Sequence, residues 1–242
     1  MKQKILFLHG GPTMNSDYFM PWFEPLSKSC ELVFYDQKGT CVNDLHKQLK
    51  QEISKNRMPH IVAHSWGAYL ILSALNEGII DKSDIESLIL IAPMPLTDQR
   101  CEYGIELRKS RFPNSVCSKI DTIWDTNDLE QASKDYIAII TPYYHHDPSF
   151  DMGGFPPFDR QTAKQINDEI KGFDLRSVLR LLPKKTLLIY GASDFFQPDP
   201  EYKATFPGYN IHVIDNAGHY VFAEAQNETM KIIEEFLEGK AD

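Results

Sequence analysis

Cysteine is scarce in this sequence, and what there is falls in no functional pattern. The four residues, Cys30, Cys41, Cys101 and Cys117, form no C-x-x-C pair and match no zinc spacing. That argues against a cysteine-ligated metal or a disulfide framework, and it suits reduced thiols in a cytoplasmic protein. Long apolar runs are missing too: none approaches the roughly 20 residues of a membrane-spanning helix. The opening Met1-Lys2-Gln3-Lys4-Ile5 leads into a short apolar run that stops at His9. It lacks the length and the small-residue cleavage site of a secretory signal. Positive charge is also in deficit. Lys and Arg number 25 against 34 Asp and Glu, a formal net charge of −9. A polyanion partner needs a basic face, so no nucleic acid and no membrane is expected among the partners. The acidic residues are spread along the chain and read as a solvated surface.

What is present is ordinary for a globular protein. The chain has 242 residues, 42% hydrophobic and 24% charged, enough for one α/β domain with an insertion or two small domains. Short apolar runs predict strands at Lys4–Leu8, Leu32–Asp36, His60–His64, Ser87–Ala92, Thr186–Tyr190 and Asn210–Ile214. Leu45, Leu49 and Ile53 recur at four-residue spacing and predict a helix over Asn43–Asn56. A second helix follows Trp66, and a last one carries Met230, Ile233, Phe236 and Leu237 on one face. Alternating strands and helices imply a parallel sheet with right-handed crossovers. Between Thr97 and Pro183 no strand pattern appears. Helices are expected there near Glu102–Arg111, Asn127–Ile140, Phe158–Lys171 and Leu175–Leu182. The predicted division is a core of 1–96 and 184–242 with a helical cap of 97–183.

The chemistry centres on Ile61-Val62-Ala63-His64-Ser65-Trp66-Gly67-Ala68. An apolar strand runs in, a helix runs out, and small residues stand two before and two after the serine. This is the pattern of a nucleophile elbow, G-x-S-x-G, with Ala63 in the place of the first glycine. Such a turn exposes the serine hydroxyl at the top of the sheet and sets the next backbone N–H beside it. An activated serine needs a base and an orienting acid, each supplied after a later strand in the order Ser, Asp or Glu, His. The fifth strand ends Tyr190-Gly191-Ala192-Ser193-Asp194, and the sixth ends Asp215-Asn216-Ala217-Gly218-His219. Ser65, Asp194 and His219 are therefore the catalytic candidates, with Asp98 and Asp199 as competing acids. His64 neighbours the serine but points to the opposite face, so it is read as packing. His9 is read as shaping its loop, and His145-His146 as polar cap surface. The oxyanion hole is assigned to the backbone N–H groups of Trp66 and Gly11, the latter in the glycine-rich loop after the first strand.

Three motifs resemble the proline iminopeptidase branch of the α/β-hydrolase superfamily. His9-Gly10-Gly11-Pro12 is similar to its oxyanion loop, Tyr35-Asp36-Gln37-Lys38-Gly39 to its Tyr-Asp-Gln-Arg-Gly stretch, and His64-Ser65-Trp66-Gly67 to its elbow. Thr13, Lys38 and Cys41 depart from the usual glycine, arginine and glycine. The resemblance implies an α/β-hydrolase fold, with about six mostly parallel strands and a helical cap after the fourth. The chain starts at what would be the superfamily's third strand.

The function expected is a cofactor-independent, metal-independent serine hydrolase. It would cleave a small carboxylic ester or amide, with a small molecule or short peptide as substrate. Alternatives are a proline iminopeptidase, a thioesterase-like acyl hydrolase, and a non-catalytic small-ligand-binding protein on the same fold. An iminopeptidase must bind a free amino terminus, for which the cap acids Glu102, Glu106, Asp121, Asp125, Asp128 and Asp135 are available. The cap aromatics Trp124, Tyr136, Tyr143, Tyr144, Phe155 and Phe158 either line an apolar lid or form the cap's own core. Of these, Trp124, Tyr143 and Tyr144 are the candidates for substrate contact.

Overall fold

The computed structural model describes residues 2–154, 158–196 and 210–240. Six strands form one sheet in the order β2-β1-β3-β4-β5-β6. They are β1 (Gln3–Leu8), β2 (Cys30–Tyr35), β3 (His60–His64), β4 (Ser87–Ile91), β5 (Thr186–Gly191) and β6 (Asn210–Ile214). Every neighbouring pair is parallel. The central strands β3, β4 and β5 are buried along their whole length, and β1 from Ile5 onward, because both faces are covered by other elements. Leu6, Leu8, Ile61, Leu88 and Leu90 pack on one side; Ile5, Phe7, Val62, Ile89 and Ile91 pack on the other.

Helices cover both faces. Following the short α1 (Met20–Phe23) come α2 (Val42–Asn56) and α3 (Trp66–Asn76). Leu45, Leu49 and Ile53 of α2 are buried as their spacing predicts. Ten of the eleven residues of α3 are buried, so it is a central helix and not an amphipathic one. From β4 to β5 the chain is helical: α4 (Asp98–Lys109), α5 (Asn114–Thr122), α6 (Leu129–Ile140) and α7 (Arg160–Glu169). The expected helix near Leu175–Leu182 is a short 3-10 turn, Arg176–Arg180. The inserted segment leaves and returns at one point. Thr97 bridges Asp174, and Leu175 N donates to Leu96 O at 2.7 Å. The short α8 (Val221–Glu224) and α9 (Gln226–Leu237) close the fold.

The sheet order reverses between β1 and β3: the chain moves outward from β1 to β2, then returns to lay β3 on the other side. Ligands of open parallel sheets bind outside the carboxyl ends of the strands at such a point. The loop after β1 carries Gly10 and Gly11, and the turn after β3 carries Ser65. Among the described residues no helix is long and apolar enough to cross a membrane.

Candidate active site

Ser65 sits on the turn between β3 and α3 with φ +51° and ψ −113°. A non-glycine residue there holds backbone strain, which persists only where the surroundings impose it. Ser65 N donates to Ile91 O at 3.1 Å, and Ser65 O accepts from Met94 N at 3.2 Å, so the end of β4 clamps the turn. Gly67 shows why the motif demands a glycine after the serine. A Cβ there would stand 2.4 Å from Leu8 O and 2.8 Å from His9 O, both backbone atoms of the neighbouring strand end.

Three side chains from three strand ends meet in one line. Ser65 Oγ lies 2.9 Å from His219 Nε2, and His219 Nδ1 lies 2.9 Å from Asp194 Oδ1. A carboxylate only accepts, so Nδ1 carries the proton and Nε2 is left to accept from the serine hydroxyl. Asp194 is fully buried, and its Oδ1 also accepts from Phe196 N at 2.9 Å. Asp98 heads α4, and its carboxylate accepts from Gly172 N at 2.6 Å. Asp199 lies outside the described residues, as does Phe155.

The hydroxyl opens on a cavity of about 380 Å³, lined by Gly10, Gly11, Ser65, Trp66 and His219 together with residues of the inserted helices. Gly10 N is occupied: it donates to Tyr18 Oη at 2.6 Å. Gly11, at φ +67°, has no such bond among the described residues, and Trp66 opens α3, where the backbone N–H has no intrahelical acceptor. Among the described residues neither N–H group has a hydrogen-bond acceptor, and Gly11 and Trp66 both line the cavity with Ser65.

Behind the line is a buried network that sequence reasoning missed. Tyr18 Oη lies 2.8 Å from His64 Nδ1, and His64 Nε2 lies 3.1 Å from His219 O. The carbonyl can only accept, so Nε2 is the protonated nitrogen of His64, and Nδ1 accepts from the tyrosine hydroxyl. Burial drives the His64 pKa well below the ordinary histidine value, which keeps the ring neutral. His64 is packing, as expected, but it also ties the Gly10 loop to the His219 loop. His9 plays a similar part: its Nε2 accepts from Gln37 N at 3.1 Å, Gln37 Nε2 donates to His9 O at 3.0 Å, and Trp66 Nε1 donates to Gln37 Oε1 at 2.8 Å. Burial lowers the His9 pKa as well.

The cap candidates separate. Tyr144 lines the cavity, and its ring lies 5.5 Å from the His219 ring. Its carbonyl accepts from His219 N at 2.7 Å. Trp124 lines a different hollow beside Phe158, Asp159 and Arg160, and Tyr143 packs on Phe112 and faces outward with Arg111 and His146. Tyr136 and Phe158 line the central cavity. Among the cap acids considered, Glu102 lines it, while Glu106 pairs with Lys109 and Asp128 caps α6. The reading of His145-His146 as polar surface is corrected in part. His146 is exposed, but His145 is buried and lies 3.4 Å from the buried Glu224 carboxylate. Glu224 also accepts from Gly218 N and His146 N, each at 2.7 Å, so this pair fastens the inserted segment to the His219 loop.

Among the described residues no group of three His, Cys, Asp or Glu could hold a metal ion. A parallel sheet with an elbow serine at its switch point and a histidine and an acid at later strand ends defines a hydrolase class. The model of the alpha/beta hydrolase family matches residues 5–230, and the chain belongs to that family. Its sequence is similar to curated proline iminopeptidases. It is 22% identical to the proline iminopeptidase of Flavobacterium johnsoniae over 70% of this chain and 61% of that protein. It is also 22% identical to that of Heyndrickxia coagulans over 96% of this chain and 90% of that protein. The chain thus spans about 61% of the length of the first and 90% of the second. The crystal structure of VinJ superposes with a TM-score of 0.70 at 16% identity, covering 99% of this chain and 91% of that one; this likeness is one of fold.

Proposed function

We propose that this chain is a serine hydrolase that cleaves a small carboxylic ester or amide through an acyl-enzyme on Ser65. The observation that carries this reading is the unbroken hydrogen-bond line Ser65–His219–Asp194, with 2.9 Å at each step, in the wall of a cavity lined by the inserted helices. Ser65 Oγ attacks the substrate carbonyl while His219 Nε2 takes its proton. Asp194 holds the tautomer and stabilises the imidazolium. The N–H groups of Gly11 and Trp66 receive the oxyanion; loss of one such donor costs about 3 kcal/mol of barrier. His219 then gives its proton to the leaving alcohol or amine. Water enters, loses a proton to His219, and attacks the acyl carbon; the carboxylic acid leaves and Ser65 Oγ recovers its proton. No step calls on a cofactor. The helical segment 97–183 acts as the cap, with Tyr144 as its contact nearest His219.

A second reading, release of N-terminal proline from peptides, is favoured by the two proline iminopeptidase relatives and by Glu102 in the cavity wall. Turnover of 4-nitrophenyl esters of short acids, short acyl thioesters and a prolyl-arylamide separates the readings. Ester turnover that falls by about 10⁴-fold or more in Ser65→Ala and in His219→Ala supports the first. Cleavage of the arylamide alone supports the second. Ester turnover unchanged by Ser65→Ala contradicts both.

A further inference from the structure

The cavity holds a positive charge that the proposed chemistry does not use. Arg108, on α4, lines the cavity and is only 8% exposed. Its Nη1 donates to Tyr144 Oη. Its buried Nε has no hydrogen-bond partner, and among the described residues no carboxylate pairs with it. Burying a guanidinium without a counter-charge is costly, and structures tolerate it where something else supplies the acceptor. The edge that Tyr144 leaves unused, Nε with Nη2, is the fork that meets a carboxylate with two parallel hydrogen bonds.

The position is built. The guanidinium carbon lies 4.6 Å over the Tyr144 ring and 5.4 Å from the Phe195 ring centre. Those same rings lie 5.5 and 4.6 Å from the His219 ring. The cation is therefore held one aromatic ring away from the His219 imidazole. Gly104, one turn earlier on α4, lets the helix come this close: a Cβ there would stand 2.5 Å from the Phe196 ring. The other charges in the wall are engaged elsewhere or open to water. Asp98 accepts from Gly172 N, Lys171 pairs with Asp168 at 2.6 Å, and Glu102 is exposed.

We propose that Arg108 is a substrate-binding residue that receives a carboxylate, so that the substrate is an acyl compound with a free carboxylate a few bonds from the scissile carbonyl. This rests on the serine hydrolase reading above. A free amino terminus would meet a like charge at this point, so the arginine weighs against release of N-terminal proline.

The test compares kcat/KM for 4-nitrophenyl hydrogen glutarate with that for 4-nitrophenyl pentanoate, in wild type, Arg108→Met and Arg108→Lys. The readout is the ratio of the two, which cancels any general loss caused by disturbing Tyr144. The wild type is expected to favour the anionic ester, and Arg108→Met to lower the ratio about 10- to 100-fold, the worth of a charge-assisted hydrogen bond. Arg108→Lys should restore part of it. A wild-type ratio of one or less, or a ratio unmoved by Arg108→Met, overturns the proposal. Calorimetry of glutarate on Ser65→Ala needs no turnover and separates failure of the anion site from failure of the hydrolase reading. Glutarate binding that disappears in Ser65→Ala/Arg108→Met supports the site even if no ester is cleaved. Ester turnover without glutarate binding overturns the site and leaves the hydrolase reading standing.

Discussion

Single residues decide how the proposed site is held, and the least obvious of them is Tyr18. Its hydroxyl contacts both the Gly10 N–H and His64, and His64 in turn holds the His219 carbonyl. Tyr18→Phe would leave a buried N–H and a buried ring nitrogen unpaired. Each such group costs about 1–3 kcal/mol. With two such groups the variant should lose about 2–6 kcal/mol of stability in urea unfolding. It should also lose kcat more than it raises KM, because the loops it ties carry the proposed oxyanion donor and base. Unchanged kcat would show that the tie serves folding alone. Ser65, Asp194 and His219 were legible in the sequence because each follows its own strand, and strand ends can be read from apolar runs. Tyr18, Glu224 and Arg108 were not. Their contacts lie 46, 78 and 36 positions away in sequence, to His64, His146 and Tyr144, and no local pattern marks such partners. His145 was misjudged for the same reason: a dipeptide of histidines reads as polar until Glu224 is brought beneath it.

Elements of the sheet and its flanking helices were more legible than those of the inserted segment. β3 and β6 match their expected bounds, and α2 begins one residue before its predicted start. In the inserted segment the reading weakened. α5 was not foreseen: its apolar residues Val116, Cys117 and Ile120 are few, and none of its residues is fully buried. α4 begins at Asp98, four residues before expectation, because Thr97 caps it by accepting from Arg100 N, a polar start signal ahead of the first apolar position. The elbow makes the sharpest prediction for an element. Gly67→Ala would press a methyl against the backbone of β1, which has nowhere to move. A loss of about 1–3 kcal/mol is expected from overpacking, with activity falling as the turn opens. Ala63→Gly, which restores the commoner motif, should not stabilise. Ala63 is buried mid-sheet, where glycine costs about 0.5–1 kcal/mol relative to alanine. Equal stability of Gly67→Ala and wild type in urea would contradict the close-approach argument.

For the molecule as a whole, four buried histidines should set the acid limit. Burial lowers the pKa of His9, His46, His60 and His64, the last most strongly. In the unfolded chain each titrates near 6.5. Below that pH the unfolded state binds more protons than the folded one, so stability is full above about pH 6.5 and declines as the pH falls. Each histidine contributes a slope of up to about 1.4 kcal/mol per pH unit. The lowered carboxylates Asp168 and Asp174, near 2, act further into acid. A melting temperature level from pH 7 to 8 and falling steeply between 6.5 and 5 is expected. A temperature flat down to pH 5 would show that these rings protonate in place. The architecture itself was the most legible scale of all. Six alternating apolar runs admit few arrangements, and the observed parallel sheet with its helical insertion after β4 is the expected one.

The central claim is that Ser65 is a nucleophile activated by His219. Its most direct test is labelling of the wild type, Ser65→Ala and His219→Ala with a fluorophosphonate, followed by mass mapping of the adduct. Rapid stoichiometric labelling is expected on the peptide that contains Ser65, absent from Ser65→Ala and strongly slowed in His219→Ala. Folded wild-type protein that stays unlabelled, or an adduct mapped to another residue, would contradict the claim.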